Sequence, residues 1–408
     1  MHKMVFNIKV SKSVGGIVSR WNTIDKQALC VVIANLLSTL PNNTGVVYSR
    51  DSSARISPER YNKKQISNRS IMKSIDYLVE RNLVINTIAP KQPPKRSLDK
   101  QEFICSHIIA TPLFISKFKN EKIEDTKHSA IVDEEQVVLK DLDKNVIDYI
   151  ECDLSLFSRL CLNYYNTYIS KQVVSMKEDN LNCILTRIFN GEIGDTGRLY
   201  RSAVQSLTKE DRCYLLINNQ STIELDYSCL HLNMLIDINK CGEYIENIPD
   251  AYMLPLLEEL QENLYNREAV KKAFNLMLNC RDRKTANAVV QQYLNMQNKH
   301  SDFKSGAKLL DCIIEGYSFL PLPLILWQSK PMAYKLQRMD SDIALEIITT
   351  LAEKNVPVLP IHDSFITTVD NYVLLQSVMG DIYRKYLGVD KRVPITACYQ
   401  GQEWKEYV

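Results

Sequence analysis

The feature that most restricts this chain is a short apolar run broken by a polar pair, IHDSF at Ile361–Phe365. The segment leading in is VPVLPI (Val356–Ile361), and the segment leading out is FITTV (Phe365–Val369). Both arms are rich in β-branched residues, so together they read as a hairpin with His362 and Asp363 at its tip. A single Asp at such a tip is ordinarily just a turn residue. A second run, STIELDYS (Ser221–Ser228), also brings a strand-like stretch to its end on an acid, Asp226. Two carboxylates on adjacent strand ends could hold a pair of Mg²⁺ ions, the arrangement used for in-line phosphoryl transfer.

With 408 residues, 45% hydrophobic and 24% charged, the chain has room for two or three domains and reads as soluble and globular. No unbroken apolar run is long enough to span a bilayer, and no signal-peptide pattern opens the sequence. A cytoplasmic location without membrane association is therefore expected. The 11 cysteines show no C-x-x-C spacing, which favours reduced, mostly buried thiols over disulfides or zinc. Net charge is only +2, but residues 1–100 carry 17 Lys/Arg against 6 Asp/Glu, leaving the remainder acidic. A basic first module predicts a polyanionic partner.

Within that module the spacing predicts a helix over Ile24–Leu40 and a second over Asn68–Arg81, with Ser67 as its N-cap and Ile71, Ile75, Leu78 and Val79 on one face. Asn68, Arg69 and Lys73 then point outward. Leu83–Ile88 and Phe103–Ile109 read as paired strands around the basic loop Lys91–Lys100. This order resembles a winged helix-turn-helix domain. The resemblance implies that the Asn68–Arg81 helix enters the DNA major groove while Lys91, Lys95 and Arg96 touch phosphates. The alternative is a small α+β domain whose basic face is merely solvated, or a protein-binding module. Beyond it, 120–147 is charged and reads as a linker, Leu154–Ile188 and 251–298 read as helical, and so does Asp340–Glu353. Gly191–Gly197 marks a loop.

Arg267, Lys271, Asn275 and Asn279 follow one another at a spacing of four, with Lys272 beside them. Arg and Lys one turn apart can grip a triphosphate, although most such rows simply face water. The order of strand-Asp226, basic helix, second helix and hairpin resembles the DNA polymerase I family (family A) and the related single-subunit phage RNA polymerases. Asp226-Tyr227-Ser228 looks like the family's first metal-binding motif, Arg267 to Asn279 like its fingers helix, and His362 to Phe365 like its second metal-binding hairpin. Thr196-Gly197-Arg198-Leu199 with Gln205, the pair Gln337 and Asp342, and the ending Val393–Thr396 with Gly401 and Trp404 resemble further family segments. The likeness covers about residues 190–408.

The resemblance implies an α+β fold: a right-hand palm with helical fingers and a reduced thumb, behind the winged-helix-like domain. The expected layout is 1–112 nucleic-acid binding, 113–150 linker, 151–225 thumb-like and palm entry, and 226–408 palm and fingers. Asp226 and Asp363, with the Tyr227 carbonyl, would hold two Mg²⁺ ions, with Mn²⁺ as the alternative. Arg267 and Lys271, or Lys272 in its place, would meet the triphosphate, and His362 would position the primer end. Arg198, Arg212, Gln205 and Gln337 would contact primer or template. Ser364 stands where DNA polymerases usually carry Glu, as in the RNA polymerases. His231 replaces a Glu that rejects ribose, Asn279 a Tyr, and Asn233 an Arg. The expected function is a compact DNA polymerase of a phage or mobile element, using DNA and nucleoside triphosphates, with a processivity partner supporting its small thumb. A primase or RNA polymerase on the same palm is the alternative, and a catalytically inactive DNA-binding regulator is the third reading.

Overall fold

The computed structural model describes every residue except 1, 5–7, 9, 11, 22–24, 41–44, 51–56, 90–105, 119–134, 178, 246–249, 253–263, 298–304, 392 and 408. Lys95 and Arg96 lie outside the described residues. The chain divides into two units, Met1–Ile150 and Glu151–Val408. Helices and β-sheets occur in both, a mixed α+β content. Among the described residues no helix is long and apolar enough to cross a membrane. The ten described cysteines are free thiols, four of them buried.

In the first unit, helices α1 (Lys12–Ser19), α2 (Lys26–Thr39) and α3 (Asn68–Val79) pack with a sheet of order β1 (His2–Lys3), β2 (Val46–Val47), β4 (His107–Ala110), β3 (Val84–Thr87). Helix α2 begins where Asp25 accepts from the Ala28 N–H at 2.9 Å, and α3 where Ser67 accepts from the Ser70 N–H at 3.1 Å. Ile71, Ile75 and Leu78 of α3 meet Leu29, Val32 and Leu36 of α2 in one core. Asn82, in the left-handed region at φ 55°, ends α3, and the Leu83 N–H closes back on the Leu78 carbonyl at 3.0 Å. Strands β3 and β4 pair from Val84–Ala110 to Thr87–His107.

The stretch expected to be a linker is only partly one. Helix α4 (Pro112–Phe118) buries Phe114 and Phe118, and β5 (Val137–Lys140) pairs with β6 (Val146–Ile147) across a tight charged turn. Arg60 reaches this hairpin, donating to Asp148 at 2.8 Å with its guanidinium 4.1 Å from the Tyr149 ring centroid. Charged turn residues dominate the composition here and hide two short strands.

The second unit opens with α5 (Asp153–Ile169). The helical expectation for Leu154–Ile188 fails past Ile169, where the chain turns and the β-branched Val173-Val174 pair leads into β7 (Val174–Met176). After β8 (Asp179–Asn180), a hairpin of β9 (Thr186–Asn190) and β10 (Thr196–Tyr200) has the Gly191–Gly197 segment as its turn. The sheet that carries the acids is built on β12 (Gln220–Tyr227). One edge of β12 pairs with β14 (Ser364–Thr368); the other pairs with β11 (Leu215–Ile217) at its start and β15 (Pro394–Tyr399) at its end. Strands β13 (Val358–Ile361) and β16 (Gln402–Tyr407) complete it. Ile223, Leu225 and Tyr227 alternate into the core, and Glu224 and Asp226 point to the opposite face.

Helix α6 (Leu230–Ile238) follows β12 directly. Within 251–298, expected to be helical, the described residues form α7 (Leu264–Leu278) and α8 (Arg283–Gln297), separated where Asp282 caps the second by accepting from Thr285 N–H at 2.7 Å. After α9 (Gly306–Gly316) comes α10 (Met332–Glu353), which starts just past Pro331, two turns earlier than its apolar spacing suggested. It packs on α5, β10, β13, α6 and α11 (Tyr372–Leu387).

A single buried arginine ties these pieces together. Arg187 on β9 is fully buried and donates to the Gly197 carbonyl at 2.8 Å, Ser158 Oγ on α5 at 2.9 Å and Asp342 Oδ1 on α10 at 2.5 Å. Gly197 at φ 81° lets this happen: a Cβ there would stand 2.6 Å from the Phe189 ring. Arg187→Ala should destabilise the second unit by about 2–5 kcal/mol, because it leaves a cavity and removes a buried donor from the Gly197 carbonyl and Ser158 Oγ, while Asp342 keeps Arg338 at 2.9 Å. Urea denaturation of the variant against the parent measures the loss.

Candidate active site

The hairpin expected at 356–369 is present as β13 and β14, closing with Ile361 opposite Ser364. His362, at the hairpin's tip, has φ 58°, in the left-handed region. Gly is the usual occupant, so a histidine there stores backbone strain at the tip. Register then does the rest. Asp226 lies opposite Ser364 of β14, and the Tyr227 N–H donates to the Asp363 carbonyl at 3.2 Å. The two acids therefore stand at the same end of neighbouring strands.

Asp226 and Asp363 are each half-buried as residues, but Asp226 Oδ1 is sealed from solvent and has no hydrogen-bond partner. Loss of solvent, then the nearby Asp363 and Glu224 charges, push the Asp226 carboxyl well above the usual carboxylate range, against Lys209 and Lys271. Asp363 is raised by loss of solvent and then by Asp340. A half-sealed pair of repelling carboxylates is a poor resting arrangement for two anions and a good one for a divalent cation. Mg²⁺ needs no more than one or two protein carboxylates beside substrate oxygens. The residues thus fit the expected ion, although among the described residues no group of three or more His, Cys, Asp or Glu side chains forms a cage. The Tyr227 ring is a core anchor, its hydroxyl donating to the Met379 carbonyl at 2.6 Å.

Around the pair, Arg198 of β10 donates to Asp340 Oδ2 through Nε at 3.2 Å and Nη2 at 2.8 Å. His231 of α6 sits 3.6 Å from the same carboxylate and 3.4 Å from Arg198 Nη2. Asp340 is buried on α10, and its charge reaches both Asp363 and His362. His362 lies edge-on to Tyr200 with ring centroids 5.7 Å apart; loss of solvent and then Arg198 lower its pKa, favouring neutral imidazole. Gln205 donates to the Leu199 carbonyl at 3.0 Å and more weakly to that of Pro360 at 3.4 Å, bracing the hairpin. Gln337 is half-exposed on α10, one turn before Asp340.

Other expected contacts are occupied within the protein. Arg212 holds Glu224 through both oxygens at 2.9 Å, and Ser364 Oγ donates to the same Glu224 at 2.8 Å. Arg267 places Nε and Nη2 on Asp250 Oδ2 at 2.9 and 2.6 Å. Asn279 follows the end of α7 and donates back to the Asn275 carbonyl at 2.8 Å. Lys271 and Lys272 are both exposed, and the Lys271 charge acts on Asp226; Lys272 projects about 100° further round the helix. In the first unit Asn68 is half-buried at the start of α3, while Arg69 and Lys73 are exposed along it.

Sequence reasoning missed Asp340, Glu224, Asp250 and Lys209. Glu224 had a signal, since it lies two residues before Asp226 and so on the same strand face. The other three gain their importance only from partners distant in sequence.

No family model matches the sequence, and no curated protein does. Among solved structures the chain is similar to the POL domain of Pol1 from M. smegmatis in complex with DNA primer-template and dNTP. That likeness has 10% identity and a TM-score of 0.36, over 62% of this chain and 51% of that chain. The chain spans about half the length of that structure, and at this score the two do not define a common fold.

The Asp250–Arg267 pair gives a test of the electrostatics. Burial would raise the Asp250 pKa, but the Arg267 hydrogen bonds and the Tyr252 N–H outweigh it and hold the carboxyl below its usual range. A folded pKa below the unfolded one contributes stability that is complete above about pH 4 and is lost as the pH falls through the folded value. Asp250→Asn should therefore lower stability at neutral pH and flatten the acid-side decline. Unfolding midpoints of both proteins from about pH 7 down to about pH 3 check this.

Proposed function

We propose that Glu151–Val408 is a template-dependent nucleotidyltransferase, a compact DNA polymerase of the kind used by a phage or mobile element. The observation that carries this reading is the meeting of Asp226 and Asp363 at one end of adjacent antiparallel strands, with a sealed, unpartnered carboxylate oxygen on Asp226. The reaction joins a primer 3′-oxygen to the α-phosphorus of a nucleoside triphosphate and breaks the bond to pyrophosphate. Asp226 and Asp363, with the Tyr227 carbonyl, would hold two Mg²⁺ ions, or Mn²⁺ in their place. Such ions, when bound, stabilise charge on the attacking and leaving oxygens. Lys271 approaches from α7 as the counter-charge for the triphosphate. Arg267 would join it only by exchanging Asp250 for phosphate. Neutral His362, fixed against Tyr200, would set the primer end, and Arg198 with His231 would line the nucleotide's sugar side.

In this reading the β12–β14–β15 sheet is the palm, α7 and α8 are the fingers and α5 is a reduced thumb, for which a processivity partner would compensate. Met1–Ile150 would be a winged helix-turn-helix module that lays α3 along duplex DNA through Asn68, Arg69 and Lys73, with Lys95 and Arg96 on phosphates.

A primase or RNA polymerase on the same palm is the second reading, favoured by Ser364, whose hydroxyl bonds Glu224 where a further acid would otherwise stand. Offering dNTPs and NTPs separately on primed and unprimed templates separates the two.

Asp226→Ala and Asp363→Ala should each abolish Mg²⁺-dependent incorporation in primer-extension assays while duplex binding persists. Incorporation at the parental rate in either variant would remove the metal assignment. Lys271→Ala should raise the nucleotide KM by about tenfold or more, the loss of a charge-assisted contact. Lys272→Ala should change it little, and steady-state kinetics of the two variants decide between them.

A further inference from the structure

The first unit has a cavity of about 390 Å³ where the end of α3 meets the segment after α1 and helix α4. Its walls include Trp21, Tyr77, Arg81, Leu83, Leu113 and Lys117, and among the described residues no acid lines it. The Trp21 and Tyr77 rings lie 5.9 Å apart. The Arg81 guanidinium is laid over the Tyr77 ring, 3.5 Å from its centroid, and is pinned by a 3.1 Å bond to the Tyr77 carbonyl. Lys117 Nζ stands 5.0 Å from the Trp21 ring centroid. Glu80, 74% exposed, comes within 3.7 Å of Arg81.

We propose that this cavity is a site for an unstacked nucleotide of a single-stranded nucleic acid, at the far end of the α3 row whose Arg69 and Lys73 are expected to meet a duplex. An aromatic and apolar hollow with two cations and no carboxylate suits a ligand with a flat body and a negative charge. A guanidinium already stacked on tyrosine offers its other face to a base, and its remaining N–H groups to a phosphate, without further ordering cost. The way in is also marked. Arg69, Lys73, Tyr77 and Arg81 succeed one another every four residues, so a basic row runs along α3 and ends at the cavity. A backbone following that row would deliver its next base to the Arg81–Tyr77 platform. A base that stacks on side chains has left its own helix, which makes the ligand a single strand. The site belongs to Met1–Ile150, and its reading stands whether or not Glu151–Val408 is a polymerase.

Trp21 is one of three tryptophans, so the full-length Trp327→Phe, Trp404→Phe protein reports on this cavity alone. Titration with an oligothymidylate should quench Trp21 emission, and a duplex should not. Arg81→Glu or Lys117→Glu should weaken the quenching titration by about tenfold or more, within the range for losing one stacked base and its phosphate contact. Lys64→Glu, the same charge change at an exposed position of this unit, should weaken it far less. Circular dichroism confirms that each variant is folded. Unchanged Trp21 emission, equal quenching by duplex, or an equal effect of Lys64→Glu would each overturn the site.

Discussion

The arrangement of the second unit depends on the antiparallel pairing of β12 with β14. Five successive register pairs, from Thr222–Thr368 to Asp226–Ser364, align a strand and a hairpin that are remote in sequence. A slip of one residue would turn Leu225 and Tyr227 away from the core and send Asp226 into it. Burial of Ile223, Leu225, Tyr227 and Phe365 on one face therefore fixes the position of the acids on the other. Folding energy and site geometry come from the same register.

Around this sheet, charge is handled in matched pairs. Arg187 with Asp342, Arg198 with Asp340, Arg212 with Glu224 and Arg267 with Asp250 each join separate segments of the second unit. An arginine bound in this way is oriented in advance, and a phosphate that recruits it must displace or share its carboxylate. Lys271 differs in being exposed, with its charge already directed at Asp226. Asp340 is the central example of matched charge, as its buried charge is balanced by Arg198 and His231 while it also raises the Asp363 pKa.

Much of the fold could be read locally. The hairpin around His362 and Asp363 announces itself by β-branched arms, α2 by apolar spacing, and α3 by apolar spacing and its cap Ser67. Where the signal was weak, the expectation failed. Charged residues concealed β5 and β6, and the helix expected to Ile188 ended at Ile169. Gly197 has a meaning that no local rule supplies, because the neighbour that excludes a side chain there, Phe189, is across the hairpin.

The sequence by itself determined the identity of the two acids and the strands that end on them, since residue type and period-two alternation are local properties. It also determined the basic character of the first hundred residues. Only the tertiary structure decided that Asp226 and Asp363 meet, that the Lys271 charge bears on Asp226, and that three arginines expected to face ligands are held by Asp340, Glu224 and Asp250. The reason is physical: a side chain's charge is set by its chemistry, but its partner is set by which strands and helices bury their apolar faces together.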